Sequence, residues 1–214
     1  MEKIKVYVLD ISNRPFVTSK LDLVEEKRAE NILNGKNYLH RLRSFYAGLL
    51  LRHAMICEGM NVNGRLPVEY NDYGKPYING GKKFSITHAG NTVMVAVADV
   101  EVGLDAEIKQ NKIYSEVSSK ILTESEDLCY KSLEGKEKTE YFLTRWVAKE
   151  GYTKLLGGVM NKCPFAVEVG ENDVNGCPYI TSQIKYKNHL YFVSVVSRQS
   201  FETEFVYVST LKTA

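Results

Sequence analysis

The chain has 214 residues, of which 44% are hydrophobic and 25% are charged, a composition typical of a globular protein. Lysine and arginine number 28 against 26 aspartate and glutamate, and a net charge of +2 is too small to indicate nucleic-acid binding. No segment approaches the ~18 consecutive apolar residues of a membrane span, and the N-terminal sequence has no secretory signal pattern. We therefore expect a soluble, cytoplasmic protein that binds neither nucleic acid nor membrane.

The first half of the chain begins with a β-rich segment at residues 4–9, which predicts a strand. Apolar residues at helical spacing then predict a surface helix over residues 21–34 and a central helix over residues 38–60. Three short strand candidates follow, separated by turns rich in asparagine and glycine: residues 66–70, 84–87 and 92–98.

The second half repeats this order of elements. A short strand begins near Gly103, and helices are predicted over residues 115–133 and 138–156. Four strand candidates complete the half: residues 165–169, 179–184, 190–197 and 204–208. Because helices followed by a hairpin-rich sheet occur twice, we expect an α+β fold with two similar halves, residues 1–102 and 103–214.

The four cysteines are widely separated along the chain: Cys57, Cys129, Cys163 and Cys177. They form no Cys-x-x-Cys pair and have no histidine at the spacing of a zinc ligand. The sequence therefore predicts reduced, mostly structural thiols.

Two carboxylates, Asp105 and Glu107, end the predicted strand that begins at Val102. Residues two apart on a strand point to the same face, and paired carboxylate oxygens suit a magnesium ion. Taken alone, however, the pair is more typical of ordinary solvated residues at the end of a strand.

A second group of polar residues lies on the helix that precedes Gly157. Trp146, Glu150 and Lys154 are spaced at i, i+4 and i+8, so they share one helix face. The group is consistent with a surface ion pair above a core tryptophan, worth only ~0.3–0.5 kcal/mol. Taken alone, the group favours that surface pair, although it is also a way to place a metal ligand beside a cation that faces phosphate.

A third group lies on loops of the first half. Lys75 is in a Gly-Lys-Pro turn, and Thr87 and His88 come at the end of a strand that is followed by a glycine. These positions suit contacts with phosphate or ribose. Because His88 has no positioned cysteine or serine partner, we expect it to bind a ligand and not to form a hydrolytic triad.

In their order, these groups resemble the three signatures of the Sfp-type 4'-phosphopantetheinyl transferases. Those signatures are a Gly-Lys-Pro segment leading to a Ser-His strand end, a Gly-x-Asp-x-Glu strand and a Trp-x-x-Lys-Glu-x-x-x-Lys helix. The resemblance spans about residues 43–157. It implies the pseudo-dimer of two similar α+β halves found in that family, with the active site between the halves.

The resemblance also implies roles for particular residues. The metal ligands would be Asp105, Glu107 and Glu150, with Mg²⁺ as the metal. Lys154 would stabilise the departing phosphate, and either Glu150, which we favour, or a metal-bound water would accept the serine proton. The residues that match coenzyme A contacts are Lys27, Arg43, Lys75, Thr87, His88, Lys149 and Lys154.

Three positions depart from the family pattern: Thr87 replaces serine, Ala106 replaces a large apolar residue, and Gly151 replaces alanine or serine. Thr87 keeps the hydroxyl. Glycine within a helix costs ~1 kcal/mol relative to alanine, and Gly151 could either ease close packing or loosen the site.

The implied reaction transfers 4'-phosphopantetheine from coenzyme A to a serine of an apo acyl or peptidyl carrier protein, catalysed by a monomer. The carrier would dock near residues 108–119, through apolar Ile113 and Tyr114, with lysines attracting the acidic carrier: Lys109, Lys112 and Lys120. Two alternatives remain: a metal-dependent phosphohydrolase acting on a nucleotide-like substrate, and a non-catalytic binding module. The complete set of carboxylates favours an enzyme.

Overall fold

Two sheets lie face to face between two long helices in the computed structural model, which describes residues 1–110, 114–158 and 167–212. The alternation of side chains along the strands accounts for these layers. On the first strand, Val6 and Val8 pack against the second sheet, whereas Tyr7 and Leu9 pack against the helix of the first half. The first sheet is therefore buried on both faces.

The first half contains helices α1 and α2 and strands β1 to β5. The helices are α1 (Glu26–Asn34), preceded by a 3-10 turn at Thr18–Leu23, and α2 (Tyr38–Cys57). The strands are β1 (Glu2–Asp10), β2 (Val68–Tyr70), β3 (Pro76–Ile78), β4 (Lys83–Ala89) and β5 (Thr92–Ala98).

The second half contains helices α3 to α5 and strands β6 to β10. The helices are α3 (Ser115–Ile121), α4 (Glu124–Ser132) and α5 (Gly135–Leu155). The strands are β6 (Val102–Ile108), β7 (Asp173–Val174), β8 (Cys177–Tyr186), β9 (His189–Ser197) and β10 (Phe201–Tyr207).

The two halves share one arrangement of strands within the described ranges. The first sheet has the order β10-β1-β5-β4, and the second has the order β6-β9-β8-β7. In each half the first strand pairs antiparallel with the last strand of a hairpin, β1 with β5 and β6 with β9. The long helices α2 and α5 cover the outer faces. The predicted α+β fold with two similar halves is confirmed.

Several predicted elements have different bounds in the structure. The helix predicted over residues 21–34 begins only at Glu26, because Val24 and Glu25 have extended backbone. The helix predicted over 115–133 is two helices, since Leu122 and Thr123 are extended and Thr123 caps α4. In the strand predicted over 165–169, Val169 forms an isolated bridge, and residues 165 and 166 lie outside the described part, as does Cys163.

The described cysteines Cys57, Cys129 and Cys177 are all free thiols, as predicted, although Cys57 and Cys129 are exposed. No helix in the described ranges combines the length and apolar character needed to cross a membrane.

Candidate active site

A cleft of about 680 Å³ opens where the edge strands β4 and β6 of the two sheets meet. Ser85 Oγ accepts a hydrogen bond from the backbone N of Leu104 at 3.0 Å, which joins these strands inside the protein. The cleft is lined by residues of both halves, from α1, α2, the 70–76 segment and β4 on one side and from β6 and α5 on the other. The cleft therefore lies at the junction between the two halves.

The three predicted carboxylates all line this cleft. Asp105 and Glu107 lie two residues apart on β6, and Glu150 lies on α5. The side chain of Asp105 is only 10% exposed, and its Oδ1 accepts hydrogen bonds from Thr87 Oγ1 at 3.0 Å and from Lys154 Nζ at 2.7 Å. Three of the residues matched to the family are thus joined in one network.

Glu150 lies in an environment that opposes its negative charge. Burial raises the pKa of its carboxyl, and the neighbouring negative charge of Asp105 raises it further, whereas Lys154 acts in the opposite direction. A carboxylate in such a position is stabilised by an added cation or by a proton. Glu150 can therefore act as a metal ligand or as a proton acceptor.

Two glycines allow α5 to approach β6 closely enough for this network. A Cβ at Gly103 would lie 1.9 Å from the carbonyl oxygen of Gly151, and a Cβ at Gly151 would lie 2.9 Å from Val196 Cγ2. Backbone therefore packs on backbone at this crossing. Of the two interpretations left open for Gly151, the structure supports close packing.

Lys75 is placed at the cleft but has partners in both halves. Its Nζ donates to the carbonyl oxygen of Leu155 at 3.2 Å and lies 3.4 Å from Glu101 Oε2. Burial lowers the pKa of Lys75, and Glu101 opposes that shift. Lys75 thus stabilises the C-terminus of α5 as well as lining the cleft.

Two of the other predicted coenzyme A residues lie close to the cleft without lining it. Arg43 donates from Nε to the carbonyl oxygen of Gly90 at 2.8 Å, just after β4. Lys27 is exposed, and its Nζ lies 4.3 Å from the ring centroid of Tyr70, which lines the cleft. By contrast, Thr87 and His88 line the cleft directly.

The predicted coenzyme A contact of Lys149 is corrected by the structure. The side chain is fully buried, and its Nζ donates to the carbonyl oxygen of Ile121 at 2.8 Å and pairs with Glu126. Glu126 also accepts backbone N–H groups from Thr123 and Val169, both at 2.9 Å. Lys149 therefore joins α5 to α4 in the interior, where no ligand can reach it.

The predicted docking segment is only partly supported as a contact surface. Tyr114 is 3% exposed and stacks on Phe142 at 4.7 Å, so it is corrected from a surface residue to a core residue. Lys109 pairs with Glu140 at 2.8 Å, whereas Lys120 is exposed. The other two predicted contacts lie outside the described residues: Lys112 and Ile113.

The cleft also contains polar residues that the sequence reasoning missed. They come mainly from one face of α1 and one face of α2: Arg28, Asn31, His40 and Ser44. The pairs are spaced i, i+3 and i, i+4, which places each pair on a single helix face. This spacing was visible in the sequence, but nothing in the sequence indicated that the two faces converge.

The three carboxylates do not form a compact metal site in this structure. Among the residues that the structure describes, no group of three or more His, Cys, Asp or Glu side chains is close enough to hold one ion. Asp105 instead forms an ion pair with the ammonium group of Lys154. The oxygen donors fit magnesium chemically, and the half-buried carboxyl of Glu150, whose pKa is raised, is a group that a cation would stabilise.

Comparison with known proteins identifies relatives of this chain. The family model described as "4'-phosphopantetheinyl transferase superfamily" matches residues 101–205. The 4'-phosphopantetheinyl transferase gsp of Aneurinibacillus migulanus is 26% identical over 63% of this chain and 56% of that protein. The resemblance to the 4'-phosphopantetheinyl transferases is confirmed. The matched region includes β6 and α5, which carry the three carboxylates and Lys154.

Other relatives of the transferase family match shorter stretches. A holo-(acyl-carrier-protein) synthase of Streptococcus suis is 45% identical over 29% of this chain and 52% of that protein. A crystal structure of a holo-(acyl-carrier-protein) synthase from Bacillus anthracis in complex with CoA (3',5'-ADP) is 25% identical and covers 47% of this chain and 97% of that chain, with a TM-score of 0.37. The chain spans about half the length of the curated relatives it matches.

Proposed function

We propose that this protein transfers 4'-phosphopantetheine from coenzyme A to a serine of an apo carrier protein. The observation that supports this most strongly is the cleft between the halves, where Asp105, Glu150 and Lys154 meet. Acidic and basic groups side by side suit a substrate pyrophosphate held with a divalent cation. The reaction itself is inferred from the names of two relatives, a 4'-phosphopantetheinyl transferase and a holo-(acyl-carrier-protein) synthase.

The reaction breaks the phosphoanhydride bond of the coenzyme A pyrophosphate and forms a phosphodiester with the carrier serine. The serine Oγ forms a bond to the β-phosphorus of coenzyme A, the bond between that phosphorus and the bridging oxygen breaks, and adenosine 3',5'-bisphosphate leaves. The serine proton passes to Glu150, a carboxylate that lines the cleft. Lys154 neutralises charge on the leaving phosphate.

We propose Mg²⁺ as the cofactor, held by Asp105, Glu107 and Glu150. When bound, it would neutralise charge on the phosphate oxygens of the transition state. The hydroxyl of Thr87 already donates to Asp105 and fixes that carboxylate on its strand. Lys154 has a partly exposed side chain, which leaves it free to turn from Asp105 toward phosphate.

One experiment tests the reaction directly. Intact mass spectrometry of an apo carrier protein is recorded after incubation with this protein, coenzyme A and magnesium. We expect a gain of one phosphopantetheine group, which is absent with a chelator, with a carrier Ser→Ala variant, or with Asp105→Ala. Asp99→Ala is the matched control, because Asp99 is an exposed aspartate in a surface pair with Lys82.

The same samples distinguish the competing functions. Coenzyme A hydrolysis without a carrier product would replace the transferase with the phosphohydrolase. An unaltered carrier and unaltered coenzyme A across several carrier types would overturn both enzymes in favour of a binding module. A full gain of mass with Asp105→Ala would overturn the role of that carboxylate.

We further propose that the carrier docks near residues 108–119 and that one chain, acting as a monomer, is sufficient. The exposed Lys120 provides positive charge for an acidic carrier surface. We expect Lys112→Glu with Lys120→Glu to raise the KM for the carrier about tenfold and leave the KM for coenzyme A unchanged. Lys3→Glu with Lys185→Glu is the matched control on exposed strand positions. Equal carrier KM values for the two pairs would contradict this docking site.

A further inference from the structure

Helix α5 ends at the cleft in a glycine-terminated cap. The backbone N of Gly158 donates to Thr153 O at 3.1 Å, and that of Gly157 donates to Lys154 O at 3.2 Å. Gly157 has φ +78°, the left-handed conformation that this type of helix end requires. Lys154 is therefore in the last turn of α5, directly beside the cap.

Two carbonyl groups at this helix end are satisfied from the other half of the protein. Lys75 Nζ donates to the carbonyl oxygen of Leu155, and Asn71 Nδ2 donates to the carbonyl oxygen of Gly157, both at 3.2 Å. A positive charge at a helix C-terminus is also favourable for the helix dipole. The first half thus supplies the cap for the helix of the second half.

Asn71 is itself held in a fixed position by its own turn. Its Oδ1 accepts the backbone N–H groups of Tyr73 at 3.0 Å and Lys75 at 2.8 Å. Its backbone N donates to Lys75 O at 3.0 Å, and its backbone O accepts from Gly74 N at 2.9 Å. With every contact of the side-chain oxygen directed into the turn, the amide nitrogen is aimed at α5.

The turn that contains Asn71 packs directly against the C-terminal end of α5. A Cβ placed on Gly157 would lie 2.8 Å from Asn71 Nδ2. A displacement of the turn would therefore move the end of α5, and with it Lys154 and its contact to Asp105 at 2.7 Å. The same contact lies in the cleft between the halves.

We infer that Asn71 is a positioning residue, which fixes the last turn of α5 across the junction of the halves so that Lys154 and Glu150 face the reacting phosphate. This inference rests on the proposed function for its effect on rate. It assigns Asn71 no contact with coenzyme A.

The test uses Asn71→Ser, which keeps a short oxygen acceptor for the turn but has no nitrogen donor that reaches Gly157. We expect kcat for carrier modification to fall about tenfold, with the KM for coenzyme A changed less than twofold, because the geometry and not the binding is altered. Asn79→Ser is the matched control, since Asn79 is an exposed asparagine in the following turn. Asn71→Ala, which also removes the turn acceptor, should lower kcat at least as much.

A second readout does not depend on activity. Hydrogen–deuterium exchange at the amides of Gly157 and Gly158 should be faster in Asn71→Ser than in the wild type and in Asn79→Ser. Wild-type exchange at these amides would overturn the inference, as would an unchanged kcat or a raised KM for coenzyme A at unchanged kcat. If the wild type modifies no carrier, the proposed function fails, and the exchange measurement still decides whether Asn71 holds the helix end.

Discussion

Lys149 and Lys154 lie five residues apart on α5, yet their ammonium groups have opposite environments. Lys149 has no exposed side-chain surface, and Lys154 is 32% exposed beside Asp105. A separation of five residues turns the helix by more than a full turn and changes which neighbours each side chain meets. The sequence motif predicts that Lys149 and Lys154 both bind the ligand, but of the two only Lys154 lines the cleft.

Removal of the Lys149 ammonium should destabilise the fold strongly. Lys149→Met leaves Glu126 buried without its charged partner, and we expect a loss of about 3–5 kcal/mol in the free energy of unfolding. Urea denaturation measures it. Lys149→Met combined with Glu126→Gln should recover part of the loss, because the amide oxygen can still accept the N–H groups of Thr123 and Val169.

The control for this prediction is Lys131→Met. Lys131 forms an exposed pair with Asp127, so its removal should cost no more than about 1 kcal/mol. A Lys149→Met protein as stable as Lys131→Met would show that the buried pair contributes little.

At the residue scale, the sequence predicts which side chains carry charge at the site but not all of their partners. Asp105, Glu107, Glu150 and Lys154 were placed together because their motifs occur in family order, and the structure brings all four to one cleft. Glu126 is a partner that the sequence could suggest only in part. The capping box of Thr123 and Glu126 is a local pattern, whereas the pairing of Glu126 with Lys149 is set by tertiary packing.

At the scale of elements, the close crossing of α5 over β6 depends on two glycines, which have no side chain. Gly103 and Gly151 face each other there, but the atoms near their hypothetical Cβ groups differ in kind. Gly103 meets backbone, which cannot move without moving the helix. Gly151 meets a methyl group of Val196 at 2.9 Å, and a single side chain can be displaced with less disruption than backbone.

Alanine at these two positions should therefore have unequal effects. We expect Gly103→Ala to lower the free energy of unfolding by about 3 kcal/mol through overpacking. Gly151→Ala should change it by less than about 1 kcal/mol, because the gain in helix propensity of ~1 kcal/mol offsets the contact with Val196. Urea denaturation of both variants checks the difference, and equal losses would contradict the packing described here.

The elements with strong periodicity were predicted best. Helix α2 and strand β5 lie where their apolar patterns place them, because both are buried by the core they form. The short strands β3 and β7 were missed, since two or three residues carry no periodic signal. The late start of α1 has a tertiary cause: Glu25 is 3% exposed and is held by Arg28 and Tyr70.

At the scale of the whole molecule, the repeated order of elements predicts two similar halves. It does not predict which of the two sheets the final strand joins. Strand β10 belongs by sequence to the second half, yet it pairs parallel with β1 at the edge of the first sheet. The strands are separated by most of the chain. No local pattern can specify such a pairing, because it is decided by which sheet edge remains open.

The segment after β10 is held by a hydrogen bond to a histidine side chain. Because this histidine can titrate, we expect the stability of the protein to depend on pH. His53 Nδ1 accepts the backbone N–H of Lys212 at 2.8 Å, and His53 also faces Cys57 Sγ at 3.7 Å and the ring of Tyr7. Burial, followed by the charge of Lys212, lowers the pKa of His53 below its ordinary 6.5. The unfolded chain therefore binds the proton more readily, and stability falls as pH decreases from about 6.5 toward the folded pKa.

Urea denaturation at pH 7.5, 6.5 and 5.5 tests this dependence. His53→Asn keeps an acceptor without titrating, so its stability should decrease less than that of the wild type between pH 7.5 and 5.5. His189→Asn, at the exposed start of β9, is the control and should follow the wild type. An identical pH dependence in all three proteins would exclude His53 as the titrating group.

The pairing of β1 with β10 also has a consequence for biosynthesis. Residues 2–8 leave the ribosome long before their partners at residues 201–207, because most of the described chain lies between them. Until then the nascent chain holds an unprotected strand edge beside an apolar surface that includes Val6 and Val8. The first sheet is thus completed by a strand that is synthesised long after β1, so its folding can finish only once β10 has emerged from the ribosome.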